Sequence, residues 1–399
     1  MTTNKFIAWE EKYIVPTYVR PPVVFTHGQG AYLFDDQGQR YLDFAAGIAV
    51  NALGHADEQW LAALTEQAGR LTHVSNLYYT VPQIELARRL VKNSFADRVF
   101  FCNSGSEANE SALKFARKYA RSHHKSGDNF TKTGIVAFSA SFHGRSMGAL
   151  STTYKSKYRE PFAPLVPGVT FADFNDLASA AQAVNQDSCA VIVEPIQGEG
   201  GVNPADPAFL KGLRALCDEN NALLIFDEVQ CGLGRSGKLW AYETYGVTPD
   251  MMTLAKPLAG GLPIGATLVT EAIAQIMKPG DHGSTFGGGP LVCSAANVVF
   301  DRVNQPQFLA QVRESGAYLV DRLRDLDSPQ IVSVRGAGLL IGLELRSPVA
   351  PLVTAAREQG LLVINAGENV LRLCPPLTVT PAEIDQAVDI LERCLEVLE

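Results

Sequence analysis

The sequence predicts an α/β protein, with a mostly parallel central sheet in a large domain and a smaller α/β domain after it. Three observations carry that expectation. From Arg98 to Thr270 short apolar runs (RVFFC, GIVAFS, CAVIVEP, ALLIFDE, MMTLA and IGATLVT) alternate with longer stretches of helical character. The runs are nearly continuous rather than alternating polar and apolar, as strands buried on both faces require. After about Phe300 the pattern changes to a long helix, then the short strands IVSVRG, LLIGLEL, LLVINA and VLRLC, and a closing helix over Pro381 to Leu398.

In order along the chain, residues 1–55 read as an irregular arm and a strand pair, GAYLFDDQGQRYLDF, folded about an Asp-Gln-Gly turn and expected to pack with the smaller domain. Amphipathic helices follow near Asp57 to Leu71 and Pro82 to Asn93, separated by the aromatic loop HVSNLYY over His73 to Tyr79. The large domain spans 56–300 and the small one 301–399. At 399 residues, 46% hydrophobic and 19% charged, the chain is long enough for both.

Charge and cysteine content exclude several functions. A net charge of −8 speaks against a broad nucleic-acid surface, and basic residues matter where they fall inside motifs. The seven cysteines are widely spread without metal-type spacing, which suits a reduced, cytoplasmic protein. No run approaches membrane-spanning length, and the first residues lack the apolar core of a signal peptide.

The chemistry centres on LAKPLAGGLPIG, where Lys256 follows an apolar run and precedes a proline and two glycines. A lysine on such a turn is commonly a solvated surface charge. Held in partly apolar surroundings, it loses solvation of its ammonium form and becomes a nucleophile or base able to form a Schiff base with a carbonyl cofactor. Upstream, the strand ALLIFDE ends in Asp227, at the strand end where open α/β sheets bind ligands. A carboxylate there either caps the next helix or faces a cation such as a protonated pyridine nitrogen.

Further motifs fall at strand ends. The segment CNSGSEA, with Gly105 and Ser106, joins a strand to a helix and offers backbone N–H groups to an anion, or is an ordinary helix cap. SFHGR places Phe142 where a ring can stack and Arg145 where a planar fork can grip a carboxylate; core and surface positions are the plain alternatives. EPIQGEGG brings Glu194 and Glu199 to another strand end, and no histidine lies nearby to suggest a metal. GLGRSG satisfies a dinucleotide fingerprint only formally: Asp227 to Cys231 separate it from the strand, and the expected ribose-binding acid is missing. No Walker A motif occurs.

FDEVQCGLGRSGKLWAYE followed by LAKPLAGGLPIGA resembles the class III pyridoxal-phosphate aminotransferases, and the likeness runs nearly the whole chain. It implies a fold-type I enzyme in which Lys256 carries the cofactor and acts as base and Asp227 holds the pyridinium. It further implies that Gln230 bonds the ring hydroxyl, Phe142 stacks, and Gly105 and Ser106 receive the phosphate. His143 becomes a supporting residue behind the cofactor. HVSNLYY, FHGRSMGALS, EPIQGEGG, HGSTFGGGP, RGAGLLIGLEL and RLCPPL are most similar to the branch acting on N2-acetylornithine with 2-oxoglutarate as acceptor. Branches using ornithine, succinylornithine, 4-aminobutyrate or carrier-bound acetyllysine share nearly every motif, and a cofactor-binding protein without catalysis is the reading from another class. The resemblance also implies that Arg145 and Arg372 bind carboxylates and that Glu199 covers Arg372 while the amine donor is present. Ser284 contacts substrate, and Thr285 reaches the cofactor phosphate of a neighbouring subunit, so a homodimer with shared sites is expected. Gly289 stands where this family commonly has asparagine, which is expected to loosen that loop.

Overall fold

The computed structural model describes residues 3–124 and 130–398. Its centre is a seven-stranded sheet: β1 (Arg98–Cys102), β2 (Gly134–Phe138), β3 (Val169–Ala172), β4 (Ser188–Val193), β5 (Leu223–Asp227), β6 (Met251–Leu254) and β7 (Gly265–Val269). The spatial order is β1-β7-β6-β5-β4-β2-β3. Only β7 runs against its neighbours, pairing antiparallel with both β6 and β1, while β5 lies parallel to β4 and β6.

The apolar runs are continuous because each strand is covered twice. Val136, Val191, Leu224 and Phe226 point to one face, where Phe209, Leu210 and Leu213 of the helix Pro207–Asn220 cover them. Their neighbours Ile135, Ile192, Leu223 and Ile225 point to the other, against Ala112, Phe115 and Ala116 of the helix Gly105–Ser122. Alternate residues of a strand face opposite ways, so two helical layers require apolar residues at every position.

A second, antiparallel sheet holds Ile331–Ala337, Leu340–Leu345, Val370–Leu373 and Ile364–Asn365 in that order, with Arg372 opposite both Gly342 and Ile364. A third joins Phe25–Gln29, Tyr32–Asp35 and Arg40–Asp43 to Leu361–Leu362, so the early strand pair is tied to the end of the chain.

The six strands expected in the central sheet are present, each within two residues of its expected ends. β3 was not foreseen: VTFA is four residues long at the sheet edge and flanked by no chemical motif. The arm is also more regular than expected, since Thr3–Tyr13 is a helix. The long helix expected after Phe300 is Pro306–Arg324, and it follows a second helix, Pro290–Val303; each is opened by a proline whose missing N–H costs nothing at a first helical position. Among the described residues no helix is long and apolar enough to cross a membrane. The seven cysteines are free and buried.

Candidate active site

Chain turns leaving the C-terminal ends of β1, β2, β4, β5 and β6 converge on one cavity of about 200 Å³. Gly105, Ser106, Phe142, Arg145, Glu194, Glu199, Asp227, Gln230 and Lys256, all singled out in the sequence, line it together.

Asp227 ends β5 and is 3% exposed. Its Oδ1 accepts from the Val229 N–H at 3.0 Å. Its Oδ2 accepts from Asn109 Nδ2 at 2.8 Å and lies 2.8 Å from His143 Nδ1. Asn109 is held in turn, donating to the His143 carbonyl at 2.7 Å and accepting from the Thr253 hydroxyl at 2.8 Å. A buried carboxylate fixed on three sides keeps its orientation when a cation meets its remaining edge. His143 thus stands behind Asp227, as a supporting residue would.

Lys256 opens a short 3-10 turn, Lys256–Ala259, directly after β6. Burial pushes the Lys256 ammonium below its usual range, against the opposing pull of Glu199. Among the described residues it has no ion-pair partner, which is the condition for a neutral, reactive amine.

The helix Gly105–Ser122 aims its N-terminus at the same cavity. Ser104 caps it, accepting from the Glu107 N–H at 3.2 Å, and the Ala108 N–H reaches the Ser104 carbonyl at 3.0 Å. The N–H groups of Gly105 and Ser106 precede these and have no intrahelical acceptor, so they are available to an anion. Ser106 Oγ accepts from the Arg145 N–H at 2.9 Å, and a Cβ on Gly144 would sit 2.0 Å from that oxygen. With φ at +137°, Gly144 admits only glycine comfortably and keeps the cradle open.

Glu199 and Arg372 meet at the cavity edge. Arg372 Nη1 lies 2.8 Å from Glu199 Oε1 and donates to Gln230 Oε1 at 2.8 Å. Burial, the largest single influence, raises the Glu199 carboxyl, but the Arg372 guanidinium, Lys256 and a Gln230 hydrogen bond together hold the group below its usual range. Arg372 is therefore covered, and Gln230 is here a partner of that arginine. Arg145, by contrast, is exposed, stacked 3.6 Å over the Tyr158 ring, and has no acid beside it among the described residues.

Glu194 bridges two of these loops, accepting from the Phe142 N–H at 3.1 Å and the Gly198 N–H at 3.2 Å. Burial pushes its carboxyl up to about 7, opposed by His143.

Two sequence candidates lie outside the cavity. Ser284 accepts from Asn103 Nδ2 at 3.1 Å and the Gly287 N–H at 3.0 Å, and Thr285 is exposed beside Phe286. Asn76 of the aromatic loop donates to the Ser284 and Gly287 carbonyls, both at 3.0 Å, so the two loops form one surface. Gly289 has φ −55° and ψ 149°, a conformation open to any residue, and donates to the Phe286 carbonyl at 3.1 Å.

Asn109 was missed by sequence reasoning: it sits mid-helix, and only the fold brings it to Asp227. No residue of the GLGRSG segment lines the cavity. Arg235, fully buried, donates to the carbonyls of Leu339 and Pro375 at 2.9 and 2.6 Å and so ties this turn to the C-terminal sheet.

The profile of the family described as aminotransferase class III matches residues 13–395. The chain belongs to the class III aminotransferases. It is 54% identical over 392 residues to the mitochondrial acetylornithine aminotransferase of Alnus glutinosa, covering 97% of this chain and 87% of that one. It is 48% identical to the succinylornithine transaminase of Yersinia pseudotuberculosis, covering 97% and 95%. An ornithine aminotransferase from Toxoplasma gondii, solved with partial occupancy of PLP at its active site, superposes with a TM-score of 0.93 at 33% identity, covering 99% of this chain and 94% of that one.

This class III aminotransferase is thus a pyridoxal-phosphate enzyme. The cavity fits that cofactor on its own terms, since an unpaired amine, a buried oriented carboxylate and a free helix N-terminus match an aldehyde, a pyridinium and a phosphate.

Proposed function

We propose that this aminotransferase moves the terminal amine of N2-acetylornithine to 2-oxoglutarate, giving N-acetylglutamate 5-semialdehyde and glutamate. The observation that carries the reading is the Arg372–Glu199 pair at 2.8 Å beside an uncovered Arg145. One site must accept in turn a donor with a single carboxylate and an acceptor with two. Arg145 grips the carboxylate of either by a planar two-point contact. Glu199 covers Arg372 while the donor is present and swings aside to expose it for the second carboxylate of 2-oxoglutarate.

The bound cofactor supplies an electron sink for the negative charge left on the substrate carbon. Lys256 holds it and, once displaced, its Nζ takes the proton from the carbon bearing the amine. Asp227, fixed by Asn109 and His143, keeps the pyridine nitrogen protonated. Phe142 sets the ring tilt, Gln230 bonds the ring hydroxyl, and Gly105 and Ser106 receive the phosphate. Thr285 completes the phosphate site of a second copy and Ser284 contacts substrate there, so the working unit is a homodimer. The division into 1–55, 56–300 and 301–399 belongs to this reading; the pairing of Arg40–Asp43 with Leu361–Leu362 supports it.

The test is a single-turnover comparison on the loaded enzyme. N2-acetylornithine, succinylornithine, ornithine, 4-aminobutyrate and lysine are added separately while the absorbance of the lysine-linked cofactor is followed. N2-acetylornithine is expected to discharge it fastest and 2-oxoglutarate to restore it. A faster discharge by another amine reassigns the donor.

A further inference from the structure

Outside the inner cavity lies a cleft of about 790 Å³. Lys155, Lys157 and Tyr158 form one wall, and Asn365, Gly367 and Glu368 the other. Three cations surround the Tyr158 ring: Arg145 at 3.6 Å, Lys157 at 5.4 Å and Lys155 at 5.9 Å from its centroid. None of the three has an ion-pair partner among the described residues. From Arg145 to Glu160 the chain carries Arg145, Lys155, Lys157 and Arg159 against Glu160 alone, within a protein of net charge −8. Three like charges gathered on one ring without an acid repel one another, and a bound anion relieves that repulsion.

Arg145 joins the two spaces, because it lines the inner cavity and stacks on the ring that lines the cleft. On the opposite wall the Asn365 carbonyl accepts from Arg372 Nη2 at 3.4 Å. Each wall of the cleft therefore touches one of the two arginines that the proposed reaction assigns to carboxylates. Glu368 is the acid facing it, is exposed, and makes no ion pair with either lysine.

We infer that this cleft is an outer docking site for dicarboxylate 2-oxo acids, where Lys155 and Lys157 collect the dianion and pass one carboxylate to Arg145. The inference rests on the two-substrate reading above. It separates the two half-reactions by charge alone. N2-acetylornithine, with one carboxylate and one ammonium, is neutral overall and feels little net pull. 2-Oxoglutarate carries two negative charges and is drawn in until salt screens the field, which at about 0.15 M ionic strength happens within ~8 Å.

The test compares the loaded wild-type enzyme with a Lys155→Gln/Lys157→Gln variant, using 2-oxoglutarate, a monoanionic 2-oxo acid such as pyruvate, and the amine donor. In the variant, kcat/KM for 2-oxoglutarate is expected to fall by roughly threefold to tenfold at low salt through KM, with kcat unchanged, and the difference to vanish at about 0.5 M salt. Pyruvate and the donor should change by less than about twofold. A Lys155→Arg/Lys157→Arg variant should restore the wild-type value, and an unchanged cofactor spectrum checks that the variants fold. An equal loss on all three substrates, or a loss that persists at high salt, overturns the inference, as does no loss on 2-oxoglutarate. If wild-type enzyme rejects N2-acetylornithine but works with another amine, only the donor assignment fails, because the decisive comparison is between 2-oxo acids.

Discussion

At the scale of single residues, the site depends on charges whose partners can change. Glu199 is held ionised by Arg372, and its removal leaves that guanidinium uncovered in a cavity meant to accept a one-carboxylate donor. Glu199→Ala is expected to lower kcat/KM for the terminal-amine donor by about tenfold or more while that for glutamate changes by less than about twofold, read from separate half-reactions. Equal losses on both would sink the covering role. A second buried acid has a stability signature. Glu228 accepts from the Ala241 and Tyr242 N–H groups at 2.6 and 2.8 Å, yet burial pushes its carboxyl up to about 8. A carboxyl raised in the folded state keeps its proton where the unfolded chain has lost it. Its contribution is therefore full below the unfolded value near 4.5 and is lost as pH rises towards 8. Thermal scans of the apoprotein should show the midpoint of Glu228→Gln falling less steeply between these limits than that of wild type; a parallel fall contradicts the assignment.

At the scale of elements, strand ends and turns carried most of what the sequence made legible. Lys256, Asp227, Phe142 and Glu194 each leave a strand at the same sheet edge, because parallel strands bring all their C-terminal ends together. A residue inside a helix gives no such signal. Asn109 reads as one polar position among several in GSEANESALKF, and its contact with Asp227 spans 118 positions. The helix Thr3–Tyr13 was illegible for a different reason: TNKFIAWEEKY shows only weak segregation of its apolar residues. Gly289 shows an element-scale surplus. It is the N-cap of Pro290–Val303, makes no side-chain cap bond, and a Cβ there would meet nothing closer than 3.4 Å. Gly289→Asn is expected to leave activity intact and to stabilise by about 0.3 kcal/mol, since asparagine caps slightly better than glycine. A clear drop in thermal midpoint would mean that the loop needs the glycine.

At the scale of the whole molecule, the exposed surface around Tyr78, Tyr79 and Phe286 lies beside Ser284 and Thr285, and Asn76 locks the two loops together. The geometry of this surface is not legible in the sequence, because the loops are 208 positions apart where they touch. If sites are shared between subunits, a Thr285→Ala protein and a Lys256→Ala protein, each impaired alone, repair one another when subunits exchange. Each mixed dimer then holds one complete site, so an equal mixture should recover roughly a quarter of wild-type activity. No recovery, with exchange verified, would place Thr285 outside the partner's site.

The account rests on Lys256 as the residue that carries the cofactor in the cavity at the ends of β5 and β6. Loading the protein with pyridoxal phosphate, reducing it with borohydride and mapping the fixed label by mass spectrometry tests that directly. A single label on the peptide containing Lys256 is the predicted result, and a label on any other lysine, with Lys256 unmodified, would contradict it.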